Sequence, residues 1–84
     1  MDLSAVVVTY NSRDHVAECL ASLERARGAL AMETLVVDNA SADGTPGLVR
    51  ERFPGVRVIE TGDNLGYAKA VNRGVHESAG EFVL

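Results

Sequence analysis

One cysteine, Cys19, stands in the 84 residues, so no intramolecular disulfide framework can hold the chain. A lone thiol fits a reducing compartment. No apolar run approaches the roughly 20 residues needed to cross a bilayer. The start, Met1-Asp2-Leu3-Ser4, has neither the basic segment nor the long apolar segment of a secretory signal, and the expectation is a cytoplasmic location. Concentrated positive charge is missing too. The net charge is −4, and the basic residues Arg13, Arg25, Arg27, Arg50, Arg52, Arg57, Lys69 and Arg73 are scattered. That distribution excludes the footprint of a duplex nucleic-acid binder, although it leaves room for a single phosphate group.

Several catalytic signatures are absent as well. No G-x-G-x-x-G follows the first apolar run, no G-x-x-x-x-G-K-[ST] occurs, and there is no G-x-S-x-G elbow or Cys/His cluster. His15 and His76 have no partner at metal-ligand spacing and read as surface residues. A phosphoacceptor domain needs acids after the first strand, where this chain has Thr9-Tyr10.

What the chain does have is an alternation of short β-branched runs with helical patterns. Leu3 to Val8 reads as a strand buried on both faces. Asn11 or Ser12 then caps a helix to about Arg27, with Val16, Leu20 and Leu23 inside and Cys19 packed among them, and Gly28 ends it. A second strand covers about Glu33 to Asp38. Thr45 caps a short helix with Pro46 in its first turn, and Phe53-Pro54-Gly55 closes it. Val56 to Glu60 forms a third strand. A third helix runs from about Tyr67 to Ala79 with Ala68, Val71 and Val75 inward, and Glu81 to Leu84 begins a fourth strand. The expected order is β-α-β-α-β-α-β, an α/β protein with a parallel sheet and right-handed crossovers.

Three helices on four strands leave part of such a sheet bare, and the last strand stops in mid-run. The chain is therefore read as a single partial domain over residues 1–84, truncated after the fourth strand. Its open sheet edge offers a route to self-association.

In open parallel sheets ligands bind beyond the carboxyl ends of the strands. That geometry selects the loops Thr9 to Ser12, Asp38 to Gly44 and Asp63 to Gly66. Asp38 can accept from a base N–H or a ribose hydroxyl, or it can cap the following turn. Asp43, in S-x-D-G, shapes that turn. Thr9 and Tyr10 offer backbone groups and a ring beside a base, unless Tyr10 only fills the sheet edge. Asn64-Leu65-Gly66 precedes a helix whose first N–H groups can face a diphosphate. Lys69 and Arg73 lie one turn apart on that helix, where either adds positive charge or stays solvated. Asn72 is expected on its more buried side.

The segments V-V-V-T-Y-N-S (residues 6–12), V-V-D-N-A-S-A-D-G-T (36–45) and N-L-G-Y-A-K-A-V-N-R-G (64–74) together resemble the family 2 glycosyltransferases of the Rossmann-like GT-A fold, above all the rhamnosyltransferase-like branch acting on bacterial polysaccharides. The resemblance spans nearly the whole chain. It implies that Thr9, Tyr10 and Asp38 hold the nucleoside, that Asn64, Gly66 and Asn72 border the nucleotide, and that Asn11 and Asn39 belong to the same nucleotide-binding set. Many processive members carry a lysine directly after the glycine. Tyr67 stands there in this chain, leaving Lys69 as a substitute. The family's D-x-D-type motif for Mg²⁺ or Mn²⁺ would begin just after Leu84, and the catalytic base lies farther on. The resemblance thus implies an inverting enzyme that uses a UDP- or dTDP-sugar and a carbohydrate or lipid-linked acceptor, at the cytoplasmic face of a membrane. This chain would supply its nucleotide-binding part, with no catalytic residue and no metal ligand. A non-catalytic nucleotide-binding module and an interaction fragment stay open as alternatives.

Overall fold

The computed structural model describes residues 3–28 and 31–78. Three parallel strands, β1 (Leu3–Thr9), β2 (Met32–Asp38) and β3 (Arg57–Glu60), pair in the order β1-β2-β3. The register sets Thr9 beside Asp38 and Asp38 beside Glu60, so the three strands finish level at their carboxyl ends. Helices α1 (Arg13–Arg27), α2 (Thr45–Arg52) and α3 (Tyr67–Glu77) alternate with them. The fourth strand expected over Glu81 to Leu84, and the last residues of the third helix as expected, lie outside the described residues.

Period-two alternation divides the strand side chains between two cores. Val7, Val36 and Val58 form a row across the sheet and pack with Val16, Leu20, Val49 and Phe53 of the α1/α2 layer. Val6, Val8, Leu35, Val37 and Ile59 face the other way, onto Ala70 of α3. Leu35, Val36 and Val37 are wholly buried, as a central strand covered on both faces requires. Burying each such side chain contributes about 1.5–3 kcal/mol relative to exposure.

Placement of the helices gives the sheet its direction. Helices α1 and α2 share one face while the order advances from β1 to β3, and α3 packs over β1 and β2 on the opposite face. A right-handed connection through a helix on that second face leads back past β1. The edge of β1, unpaired among the described residues, is thus the side on which a doubly wound sheet reverses, the place where such sheets bind ligands. The two edges differ in chemistry. On β3, Arg57 pairs with Glu77 and Glu60 pairs with Arg50, each at 2.8 Å, and such charge blunts an edge. On β1, Leu3 to Thr9 carry no charge at all.

Four local expectations are corrected. Cys19 is exposed, because Val16, Leu20 and Leu23 set the inner line of α1 and Cys19 falls on its flank. Thr45 is the first residue of α2, not its cap; Gly44 holds that position, with φ of 84°. On α3 the buried residues are Ala70 and Gly74, whereas Ala68 is exposed, Val71 is half-buried and Val75 is 43% exposed. Small residues face the sheet because the helix lies close to it: a Cβ on Gly74 would sit 2.3 Å from a Val6 methyl and 3.0 Å from one of Val37. Asn72, expected toward the buried side of that helix, is exposed.

Candidate nucleotide site

Three loops meet at the carboxyl ends of the strands, and side-chain hydrogen bonds lock them together. Thr9, at the last position of β1, is buried, and its hydroxyl donates to Asp38 Oδ1 across the strand pair at 2.6 Å. The Ser41 hydroxyl donates to the same oxygen at 2.6 Å, and the Ser41 amide donates to Oδ2 at 2.9 Å. Asp38 is 1% exposed. Its carboxylate therefore stands inside the loop cluster, capping the turn that follows β2. These bonds also hold Ala40 at φ of 61°, a left-handed conformation that an alanine adopts only when its surroundings impose it.

The loop after β1 is tied to this turn. Asn11, also left-handed at φ of 50°, donates its amide to Ser41 Oγ at 2.7 Å and accepts from the Ala42 amide on Oδ1 at 2.8 Å. Asparagine tolerates that backbone better than most residues. Tyr10, held between Thr9 and Asn11, is 52% exposed, so its ring stands at the rim of the cluster. Farther back, Asp43 accepts from the Arg13 amide on Oδ2 at 3.0 Å and from the Thr45 amide on Oδ1 at 3.1 Å. The Thr45 hydroxyl also donates to Oδ1. That hydroxyl is the main reason the Asp43 carboxyl titrates below the ordinary aspartate value; the backbone N–H groups of Arg13, Thr45 and Asp43 itself add to the effect and burial opposes it.

The third loop joins through Asn39. This side chain is 2% exposed; its Nδ2 donates to the Gly66 carbonyl at 3.3 Å and its Oδ1 lies 3.3 Å from the Thr61 hydroxyl. The Thr61 hydroxyl has a single proton and three acceptors in reach, the others being the carbonyls of Asp38 and Asp63. Asn64 Oδ1 accepts from the Gly66 amide at 3.1 Å, so that N–H serves the turn. The first turn of α3 also brings N–H groups to this end, which have no partner within the helix. Gly66 has φ of 81°, where a side chain would be strained.

The structure thus brings Thr9, Tyr10, Asn11, Asp38, Asn39, Asn64 and Gly66 to one end of the sheet. Lys69 is exposed on α3, one turn before Arg73, whose Nε is 3.4 Å from Glu77 and is thereby drawn toward the far end of the helix. Asn72 is exposed as well, with no hydrogen bond to the loops among the described residues. Ser41 and Thr61 are the cluster members that sequence reasoning missed. Ser41 had a signal in its position three residues after Asp38, the spacing of a side-chain-capped turn; Thr61 had none. Between β1 and α1 lies a cleft of about 180 Å³ lined by Val7, Val8, Thr9, Ser12, His15, Val16 and Cys19. Among the described residues, no three or more His, Cys, Asp or Glu side chains gather to hold a metal ion, and no helix is long and apolar enough to cross a membrane.

The chain is similar to known proteins. The chain is 46% identical over 71 residues to the N-acetylglucosaminyl-diphospho-decaprenol L-rhamnosyltransferase of Mycobacterium tuberculosis, an alignment covering 84% of this chain and 23% of that protein. It is 33% identical over 87 residues to the dolichol-phosphate mannosyltransferase of Pyrococcus furiosus, covering 100% of this chain and 24% of that one. Among solved structures, the mannosyltransferase PcManGT from Pyrobaculum calidifontis, in complex with GDP-Man and Mn²⁺, superposes with a TM-score of 0.77 at 31% identity, over 94% of this chain and 25% of that one. The chain spans about a quarter of the length of these relatives. The sequence model of glycosyl transferase family 2 matches residues 4–84. With its GT-A-like α/β core and its interlocked loops, the chain belongs to glycosyl transferase family 2.

Proposed function

We propose that this chain forms the nucleoside half of the donor site of an inverting glycosyltransferase. The enzyme would transfer a sugar from a UDP- or dTDP-sugar to a carbohydrate or lipid-linked acceptor at the cytoplasmic face of a membrane. The observation that carries the reading is the meeting of three polar loops at the carboxyl ends of a parallel sheet, the position at which open α/β sheets take nucleotides. The names of the relatives support the chemistry: one joins rhamnose to a lipid-diphosphate-linked sugar, and another was captured with a nucleotide sugar and Mn²⁺.

In this reading the Tyr10 ring at the rim stacks on the base, and the first-turn amides of α3 face the diphosphate, with Lys69 nearby. Asp38 and Asn39 act mainly by holding the loops in shape, since both are buried and already bonded. A divalent metal, when bound, would neutralise the charge of the leaving nucleoside diphosphate. Among the described residues no three or more His, Cys, Asp or Glu side chains gather to hold it.

Calorimetric titration of the chain with UDP, dTDP, GDP and AMP tests the reading. UDP or dTDP should bind more tightly than either purine nucleotide. Tyr10→Ala should weaken that binding by roughly five- to a hundredfold, the equivalent of about 1–3 kcal/mol of lost stacking. Equal affinity for AMP, or no effect of the substitution, would contradict it.

A further inference from the structure

We infer that Asp43 is a positioning residue for this site: a single carboxylate caps two helices at once and so fixes the Tyr10–Ser12 loop against the Asp38–Gly44 loop. The inference rests on the reading of these loops as the nucleoside site.

The residues that precede α1 and α2 leave both helices without a cap of their own. Ser12, before α1, makes no side-chain cap bond, and its hydroxyl instead accepts from the Tyr10 amide at 3.2 Å. Gly44, before α2, has no side chain to offer. The first turn of a helix exposes N–H groups that need acceptors and carries partial positive charge, and a carboxylate answers both. Asp43 meets this need for the two helices together. One oxygen takes the Arg13 amide, the first N–H of α1; the other takes the Thr45 amide, the first N–H of α2. The bond to Arg13 crosses 30 residues of sequence, so it is a tie between loops and not a local turn. Arg13 returns the contact, its guanidinium reaching the carbonyl of Gly44 at 3.4 Å.

Tyr10 lies between two anchors. On one side Thr9 is fixed to Asp38; on the other the start of α1 is fixed to Asp43. The Asn11 bonds to Ser41 and Ala42 locate the backbone between them. Releasing the Asp43 anchor frees the first turn of α1 and lets the Tyr10 ring wander from its place at the rim. Strands and cores, to which the Asp43 side chain makes no hydrogen bond among the described residues, would stay as they are. Asp43 therefore acts on a ligand through Tyr10 without meeting it.

Asp43→Asn is the discriminating variant, because it turns one of the two acceptor oxygens into an N–H donor and leaves only one helix capped. Three readouts are needed on the ¹⁵N-labelled chain. In the wild type, the amide protons of Arg13 and Thr45 should shift together with one midpoint as acid titrates the shared carboxylate; the nearby Arg13 guanidinium reaches the backbone carbonyls of Asp43 and Gly44. In Asp43→Asn that common titration should vanish and the resonances of Tyr10 to Ser12 should move. Those of Val36 and Val37 should hold their positions. Affinity for UDP or dTDP should fall at least tenfold, and Asp43→Glu, which keeps both oxygens, should recover part of it.

Separate midpoints for Arg13 and Thr45, or no titration of either amide, would overturn the inference. So would wild-type affinity in Asp43→Asn. A wild-type chain that binds no pyrimidine nucleotide would refute the site reading instead, and the amide titration would still decide whether one carboxylate holds both helices.

Discussion

At the residue scale, the polar side chains of the site spend most of their bonding capacity on one another. Asp38 accepts three hydrogen bonds from Thr9 and Ser41, and Asn39 bridges Thr61 and Gly66. Groups so occupied are preorganised, and they present to a ligand the shape of a loop more than free acceptors. Asp43 is the residue whose ionisation has a direct consequence. Its folded-state pKa is lowered, so its contribution to stability is complete above the unfolded value, about 3.9 for aspartate, and is lost as the pH falls through the folded value. Urea midpoints of the wild type and Asp43→Asn should therefore differ by a constant amount near neutral pH and converge as the pH drops below about 4. A gap that persisted or widened in acid would show that the carboxylate bonds are not what the substitution removes. The sequence made Asp43 legible as a turn former, since S-x-D-G is a local pattern. Its second partner, Arg13, was not legible, because a bond across 30 residues leaves no trace in spacing.

At the scale of the element, strands and helices were readable to within a residue or two wherever apolar pattern and breakers agreed, as in Leu35-Val36-Val37 before the Asn39–Gly44 loop. The face of α3 was not. Its valines marked the expected inner side, yet Ala70 and Gly74 take that side because the helix lies too close to Val6 and Val37 for anything larger. Hydrophobicity ranks residues by their gain on burial; close approach selects by size, and here size won. Cys19 went astray for a related reason, being apolar enough to pack but placed one step off the Val16–Leu20–Leu23 line. Gly74→Ala tests this account. The added methyl should cost about 1–3 kcal/mol in overpacking against two β-branched side chains, offset by up to about 1 kcal/mol of helix propensity. Each net kcal/mol lowers the melting temperature by roughly 4–8 °C in a domain of this size. A melting temperature above that of the wild type would mean that α3 does not lie as close to the sheet as the structure has it.

For the whole molecule, the arrangement of helices gives the site its place. With α1 and α2 on one face and α3 on the other, the sheet turns about β1, and Thr9 and Tyr10 stand at the end of that strand. The three motifs that marked the family in the sequence are the three loops that the fold gathers, so their meeting was legible before their bonds were. The measurement that tests the central claim most directly is an amide NMR titration of the labelled chain with UDP and dTDP, with AMP as control. The account predicts shifts confined to the neighbourhoods of Tyr10, Asp38 to Ser41 and Asn64 to Lys69, produced by the pyrimidine nucleotides and not by AMP. A dispersed spectrum in which those resonances stay still, or in which the shifts gather instead around β3 and the end of α2, would contradict it.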